Sequence, residues 1–191
     1  MNRMKDLRMM KRVSQVAFAV VAALTLVLGF TACSNDDDRV EPVVVATNKL
    51  MVDNVEKTIV RAEVLDMKDD DYAVRFYLSK DQSEYVQILG NTKQYNGKTI
   101  DLTKTEELQE TIAWQVGYMK SASWVFVGSG DEAHQPFTSG TMQISVNVVT
   151  GDVVLNLVDA RLHLEKGQNS DGQPHSISFS WKGKGVITHL D

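Results

Sequence analysis

Cysteine, basic charge and catalytic signatures are what this 191-residue chain has least of. Cys33 is the only cysteine, so no intrachain disulfide can form and stability must come from a hydrophobic core. Twenty lysines and arginines stand against 25 aspartates and glutamates, a formal net charge of −5. That balance excludes nucleic acid as a partner and offers no attraction to an anionic membrane face, because both need a basic footprint. None of the four histidines, His134, His163, His175 and His189, stands in an HExxH or other paired ligand spacing, so neither a metal centre nor a cofactor is expected. There is no G-x-S-x-G elbow to present a serine, and no glycine-rich turn between strand and helix to cradle a phosphate. Glycosidase chemistry needs only two carboxylates at a set separation, but the 24 acids beyond residue 32 make pairing by sequence uninformative.

One long apolar run is present, and it lies at the N-terminus. Met1 to Arg12 carries Arg3, Lys5, Arg8, Lys11 and Arg12 against the single acid Asp6. From Val13 to Phe30 the only polar residues are Ser14, Gln15 and Thr25. A basic segment followed by an apolar run short for a membrane span is the pattern of a secretory signal, and Thr31 and Ala32 supply small residues where cleavage would occur.

The residues at that point carry a resemblance. Gly29-Phe30-Thr31-Ala32-Cys33 resembles a lipobox, with Phe30 where leucine is usual, as in the looser boxes of Bacteroides-type bacteria. The resemblance implies cleavage before Cys33 and acylation of its sulfur, which would anchor the protein to the membrane durably, since several acyl chains hold where one does not. It also removes Cys33 as a catalytic thiol. Ser34-Asn35-Asp36-Asp37-Asp38 resembles the acidic signal that exports such lipoproteins to the outer face of the outer membrane, although a triple aspartate also reads as a solvated linker. The expected organisation is a signal peptide over residues 1–32, an acidic flexible tether over 33–42, and one domain over 43–191. Without residues 1–32 the formal charge is −9, from fifteen basic and twenty-four acidic residues. A domain of this size buries roughly 70% of its unfolded surface, enough to fold alone.

Within the domain the dominant period is two. Tyr72, Val74, Phe76 and Leu78 alternate with Ala73, Arg75, Tyr77 and Ser79, as in a strand with one face on a core. Met142, Ile144, Val146 and Val148 repeat the pattern, as do Ile177, Phe179 and Trp181. Further strands are expected near 57–66, 84–89, 112–119 and 123–127. Asn96-Gly97 predicts a type I′ hairpin between residues 93–95 and 98–100, and Asp69-Asp70-Asp71 an acidic turn. Thr150-Gly151-Asp152 joins 142–149 to 153–164, and the loop Gly167–Gly172 leads into a last strand over 174–189, which makes residues 141–189 a three-strand meander. In its middle strand the apolar parity changes from Leu157 to Ala160, so a bulge is expected near Val158-Asp159. Thr103-Lys104-Thr105-Glu106 matches a capping box and predicts one short helix from Thr103 to about Glu110. The expected fold is all-β, an antiparallel β-sandwich or β-barrel with at most one short helix.

The lipobox, the acidic tether and a small all-β domain containing Tyr95-Asn96-Gly97-Lys98-Thr99-Ile100-Asp101-Leu102-Thr103 together resemble small lipoproteins of Bacteroides-type bacteria. That resemblance implies location and fold class and carries no catalytic motif. Aromatics are the remaining candidates for recognition. Trp114, Tyr118, Trp124, Phe126 and Trp181 would make a platform for sugar rings or a protein partner, but the alternation of Trp114 with Val116 and Tyr118, and of Trp181 with Phe179, favours the core. Tyr77 falls on the polar face of its strand and is the expected exposed contact aromatic. His134, in the acidic loop Gly128–His134, is the second possible ligand contact, while His175 and His189 read as strand-edge residues. The function expected is a surface-anchored, non-catalytic binding or structural module for a glycan, peptide or envelope protein. The alternatives are a carrier of a small apolar ligand in a barrel pocket and a carboxylate-based glycan-active enzyme.

Overall fold

A computed structural model describes residues 48–106, 111–132, 135–167 and 169–190, all within one compact unit, Pro42–Asp191. Cys33, the export residues Ser34, Asn35, Asp36, Asp37 and Asp38, and His134 lie outside the described residues. The elements in chain order are β1 (Lys49–Val52), β2 (Val55–Thr58), β3 (Arg61–Asp66), β4 (Asp71–Tyr77), β5 (Glu84–Asn91), α1 (Thr92–Tyr95), β6 (Thr99–Asp101), β7 (Gln115–Lys120), β8 (Ser123–Ser129), β9 (Ser139–Val146), β10 (Asp152–His163), β11 (Pro174–Lys184) and β12 (Val186–His189). They form two six-stranded sheets, sheet 1 in the order β2-β1-β11-β10-β9-β6 and sheet 2 in the order β12-β3-β4-β5-β7-β8. The expected all-β fold is present, as an open sandwich and not a closed barrel.

The core lies between the sheets and is built from the inward parity of each strand. Tyr72, Val74 and Phe76 on β4 and Val86 and Ile88 on β5 face Met142 and Ile144 on β9, Leu155 and Leu157 on β10, and Ile177 and Phe179 on β11. Phe76 meets the rings of Phe179 and Trp181 edge-on, at 5.1 and 5.6 Å between centroids, and Phe137 joins Trp114 to Phe126. The two sheets do not close into a barrel.

Turns account for most differences from the expected elements. Type I′ turns lie at Asp53-Asn54 between β1 and β2, at Asp69-Asp70 in the expected acidic turn between β3 and β4, and at Ser121-Ala122 between β7 and β8, where both central residues take positive φ. Asn96-Gly97 instead forms a type II turn, with Asn96 at φ −55°, ψ 122° and Gly97 at φ 74°, because residues 92–95 are helical and not a strand. Asn91 caps that helix, accepting from the Lys93 and Gln94 amides. Thr103–Glu106 is turn and coil. The hydroxyl and amide of Thr103 donate to the Asp101 carboxylate, which competes with a capping box, and residues 107–110 lie outside the described residues.

The meander β9-β10-β11 and its bulge are as expected: register shifts occur after Leu157 and Val158, and Asp159 takes φ 49°. The last strand, however, is two strands. At Gly185 the chain leaves sheet 1 and β12 adds in parallel to β3 of sheet 2. A Cβ on Gly185 would come within 2.9 Å of the Val64 side chain and 3.2 Å of its amide, so the crossing between sheets needs glycine there. Residues 57–66 likewise split into β2 and β3, each in a different sheet.

Candidate recognition face

The outer face of sheet 2 is assembled by cross-strand pairing. Arg61 pairs with Tyr77 and Glu63 with Arg75 between β3 and β4; Tyr77 pairs with Tyr85 and Arg75 with Gln87 between β4 and β5; Gln87 then pairs with Gly117 on β7. One row across the sheet is therefore Glu63, Arg75, Gln87 and Gly117, and the next begins Arg61, Tyr77, Tyr85 and Met119. On β8 the partner of Met119 is Trp124, whereas that of Tyr118 is Phe126, so Val125 is the extra residue of a bulge. Regular alternation would put Trp124 on the core side with Phe126. The bulge turns it outward, toward Tyr85.

Three rings consequently form a row on this face. Tyr77 and Tyr85 meet at 5.6 Å and 62°, and Tyr85 and Trp124 at 6.2 Å and 79°, both edge-to-face. Trp124 reaches over β7 because Gly117 has no side chain there. A Cβ at Gly117 would lie 2.8 Å from Cζ3 of the indole. Tyr85 and Trp124 are half-buried. Tyr77 stands on the outer face as its parity indicates, but only 5% of its surface is exposed, which corrects the expected exposure. The reason is its neighbours: Arg61 lies 5.5 Å over its ring, Tyr85 packs on it, and its hydroxyl donates to Glu63 Oε2 at 2.7 Å. Burial and that hydrogen bond together push the Tyr77 phenol above its ordinary pKa.

The charged groups beside the row are not equivalent. Glu63 is saturated: Oε1 accepts from Arg61 Nη2 at 3.0 Å and from Thr188 Oγ1 at 3.1 Å, and Oε2 from Tyr77. Arg75 donates from Nε to Gln87 Oε1 at 2.8 Å and lies 5.4 Å over the Tyr85 ring. No carboxylate among the described residues forms an ion pair with it. Such a face, with partly open rings and a fixed guanidinium, suits stacking and hydrogen bonding.

Two other clusters lie elsewhere. His175, expected at a strand edge, is 8% exposed and clasped on both ring nitrogens, by Asp53 at 2.8 Å and Asp171 at 2.9 Å. Its ring packs on Phe126 at 5.1 Å. Burial opposes its charge, but the two carboxylates outweigh burial and hold the imidazole above its ordinary pKa. The carboxylates approach from opposite sides of the ring, so they do not converge on one ion, and no metal-holding group of side chains occurs among the described residues. The second cluster is an open groove of about 720 Å³ lined in part by Glu106, Asp131 and Glu132. Glu106 is occupied there, accepting from Tyr95 Oη at 2.6 Å and Gln94 Nε2 at 3.0 Å, and no histidine among the described residues lines the groove.

Of the sequence candidates, Trp114, Tyr118 and Phe126 are core residues, and Trp181 packs against the core. Trp124 alone leaves that set, and Tyr85 joins it on the surface. His163 is exposed, and His189 Nδ1 hydrogen-bonds the Asp66 carboxylate at 2.8 Å on an exposed edge. No helix among the described residues is long and apolar enough to cross a membrane. Compared with family models, curated proteins and solved structures, the chain matches none.

Proposed function

We propose that the protein is a non-catalytic glycan-binding module, anchored by an acylated Cys33 to the outer membrane and displayed outward on its acidic tether, with the outer face of sheet 2 as its binding face. The observation that carries the reading is the pair Tyr85 and Trp124, two half-buried rings on the solvent side of a sheet, flanked by the amide of Gln87 and the guanidinium of Arg75. Sugar rings have apolar faces and polar rims, so they bind where an aromatic face and planar hydrogen-bonding groups stand side by side. Gly117 makes room for Trp124, and the bulge in β8 sets it on the same face as Tyr85. The signal-like N-terminus, the lipobox resemblance and residues Asp36 to Asp38 support the location.

Electrophoresis of the full-length protein through gels containing soluble polysaccharides tests the binding. At least one glycan should retard the wild type, and Trp124→Ala should migrate as in a glycan-free gel while unfolding at an unchanged temperature. Retardation that survives both Trp124→Ala and Tyr85→Ala would place the ligand elsewhere.

A further inference from the structure

We propose that the glycan is acidic, and that Arg75 is the residue that recognises its negatively charged group. This rests on the binding face described above. Two arginines and a glutamate stand at the centre of that face, Arg61, Arg75 and Glu63, and they are not paired symmetrically. Glu63 has both oxygens occupied, by Arg61, Thr188 and Tyr77. Arg61 is thereby neutralised and covers Tyr77. Arg75, although directly opposite Glu63 in the β3–β4 register, turns to the other side, toward Gln87 and Tyr85.

The face thus carries one positive charge without a carboxylate partner among the described residues, in a chain whose net charge is −5. A guanidinium fixed by a hydrogen bond at Nε and stacked on a ring keeps its fork in one orientation and loses little freedom when it binds a planar anion. It is also next to the rings. Arg75 lies over Tyr85, and Tyr85 meets Trp124, so a sugar stacked on Trp124 would bring a substituent within reach of the guanidinium. The group that matches a guanidinium fork is an oxyanion, the carboxylate of a uronic acid or the sulfate of a sulfated sugar. The negative charge of the remaining domain is screened beyond roughly 8 Å at physiological ionic strength, so it slows encounter without cancelling the contact.

The experiment is calorimetric titration of the full-length protein with polygalacturonate, with the same polymer after chemical reduction of its carboxyl groups, with a sulfated glycosaminoglycan, and with neutral xylan and mannan oligomers. At least one anionic polymer is expected to bind, the reduced polymer to bind roughly tenfold more weakly than polygalacturonate if the carboxylate is the group read, and Arg75→Gln to lower anionic binding by a similar factor. Arg75→Lys keeps the charge without the fork and is expected to fall between wild type and Arg75→Gln. Preference for the sulfated polymer alone would identify sulfate as the oxyanion and leave Arg75 in its role. Equal binding of neutral and anionic polymers, with no effect of Arg75→Gln, would overturn the proposal while leaving the aromatic face intact. If no polymer binds, the aromatic face itself fails as a glycan site, and this inference with it.

Discussion

Replacing His175 with glutamine should weaken the domain most at acid to neutral pH and least in alkali. Both ring nitrogens face carboxylate oxygens, at 2.8 and 2.9 Å, so both must donate and the folded state favours the imidazolium. The clasp ties three segments together: Asp53 in the β1–β2 turn, Asp171 in the loop before β11, and His175 on β11, with Asp53 also accepting from the Ser176 amide at 2.8 Å. Hydrogen bonds to charged groups contribute about 1.5–3 kcal/mol each. The histidine side chain is only 6% exposed, but the two aspartates are 40% and 43% exposed, so solvent screening reduces the sum. A net loss of about 2–3 kcal/mol at pH 6 follows, a fall in melting temperature of roughly 4–12 °C for a domain of this size. The folded-state pKa of His175 is raised, so its contribution is complete below the unfolded value of about 6.5 and disappears as pH rises through the folded value. Melting curves of wild type and His175→Gln by circular dichroism, from pH 5 to pH 9, should therefore converge as pH rises. A gap that stays constant or widens toward pH 9 would refute an imidazolium clasp.

Three further outcomes follow from the backbone and the N-terminus. Gly140→Ala should destabilise by roughly 2–4 kcal/mol in urea titration, because Gly140 holds φ 119° and a Cβ would meet the Ala160 backbone at 2.6 Å. Ala122→Gly should stabilise by about 1 kcal/mol in the same titration, since Ala122 takes φ 60° in its hairpin, and an unchanged or lower midpoint would mean that the turn is not strained. Cys33→Ala should abolish incorporation of labelled fatty acid and release the protein from the membrane fraction; a variant still cut at the same place and still membrane-bound would remove the lipid anchor.

Strand parity was legible in the sequence wherever a strand runs without interruption. The alternation of Tyr72, Val74 and Phe76 with Ala73, Arg75 and Tyr77 assigns the two faces of β4 correctly, and the parity change between Leu157 and Ala160 locates the β10 bulge. The outer face of sheet 2 was harder to see, because its residues come from strands distant in sequence and one of them depends on a second bulge. Trp124 and Phe126 are two residues apart and would share a face in a regular strand. Only the short spacing between the Ser121-Ala122 turn and the apolar run of β8 hints at the extra residue. Tyr77 illustrates a different limit: parity indicates a face, but exposure is set by the neighbours that pairing brings, here Arg61, Glu63 and Tyr85. His175 does stand at the start of β11 as expected, but its burial was hidden for a similar reason, since its partner Asp53 is 122 residues away. The Asn96-Gly97 signal was true as a turn and false as a hairpin, because the Asn91 cap starts a helix where a strand was expected.

The most direct test of the binding face is the indole N–H spectrum of the protein, which has three tryptophans in three different settings. Trp114 is fully buried, Trp181 packs against the core, and Trp124 lies on the outer face of sheet 2. Titration with a bound glycan should move or broaden the Trp124 indole resonance, assigned through Trp124→Phe, while those of Trp114 and Trp181 stay in place. Saturating ligand that leaves Trp124 unmoved would contradict the account.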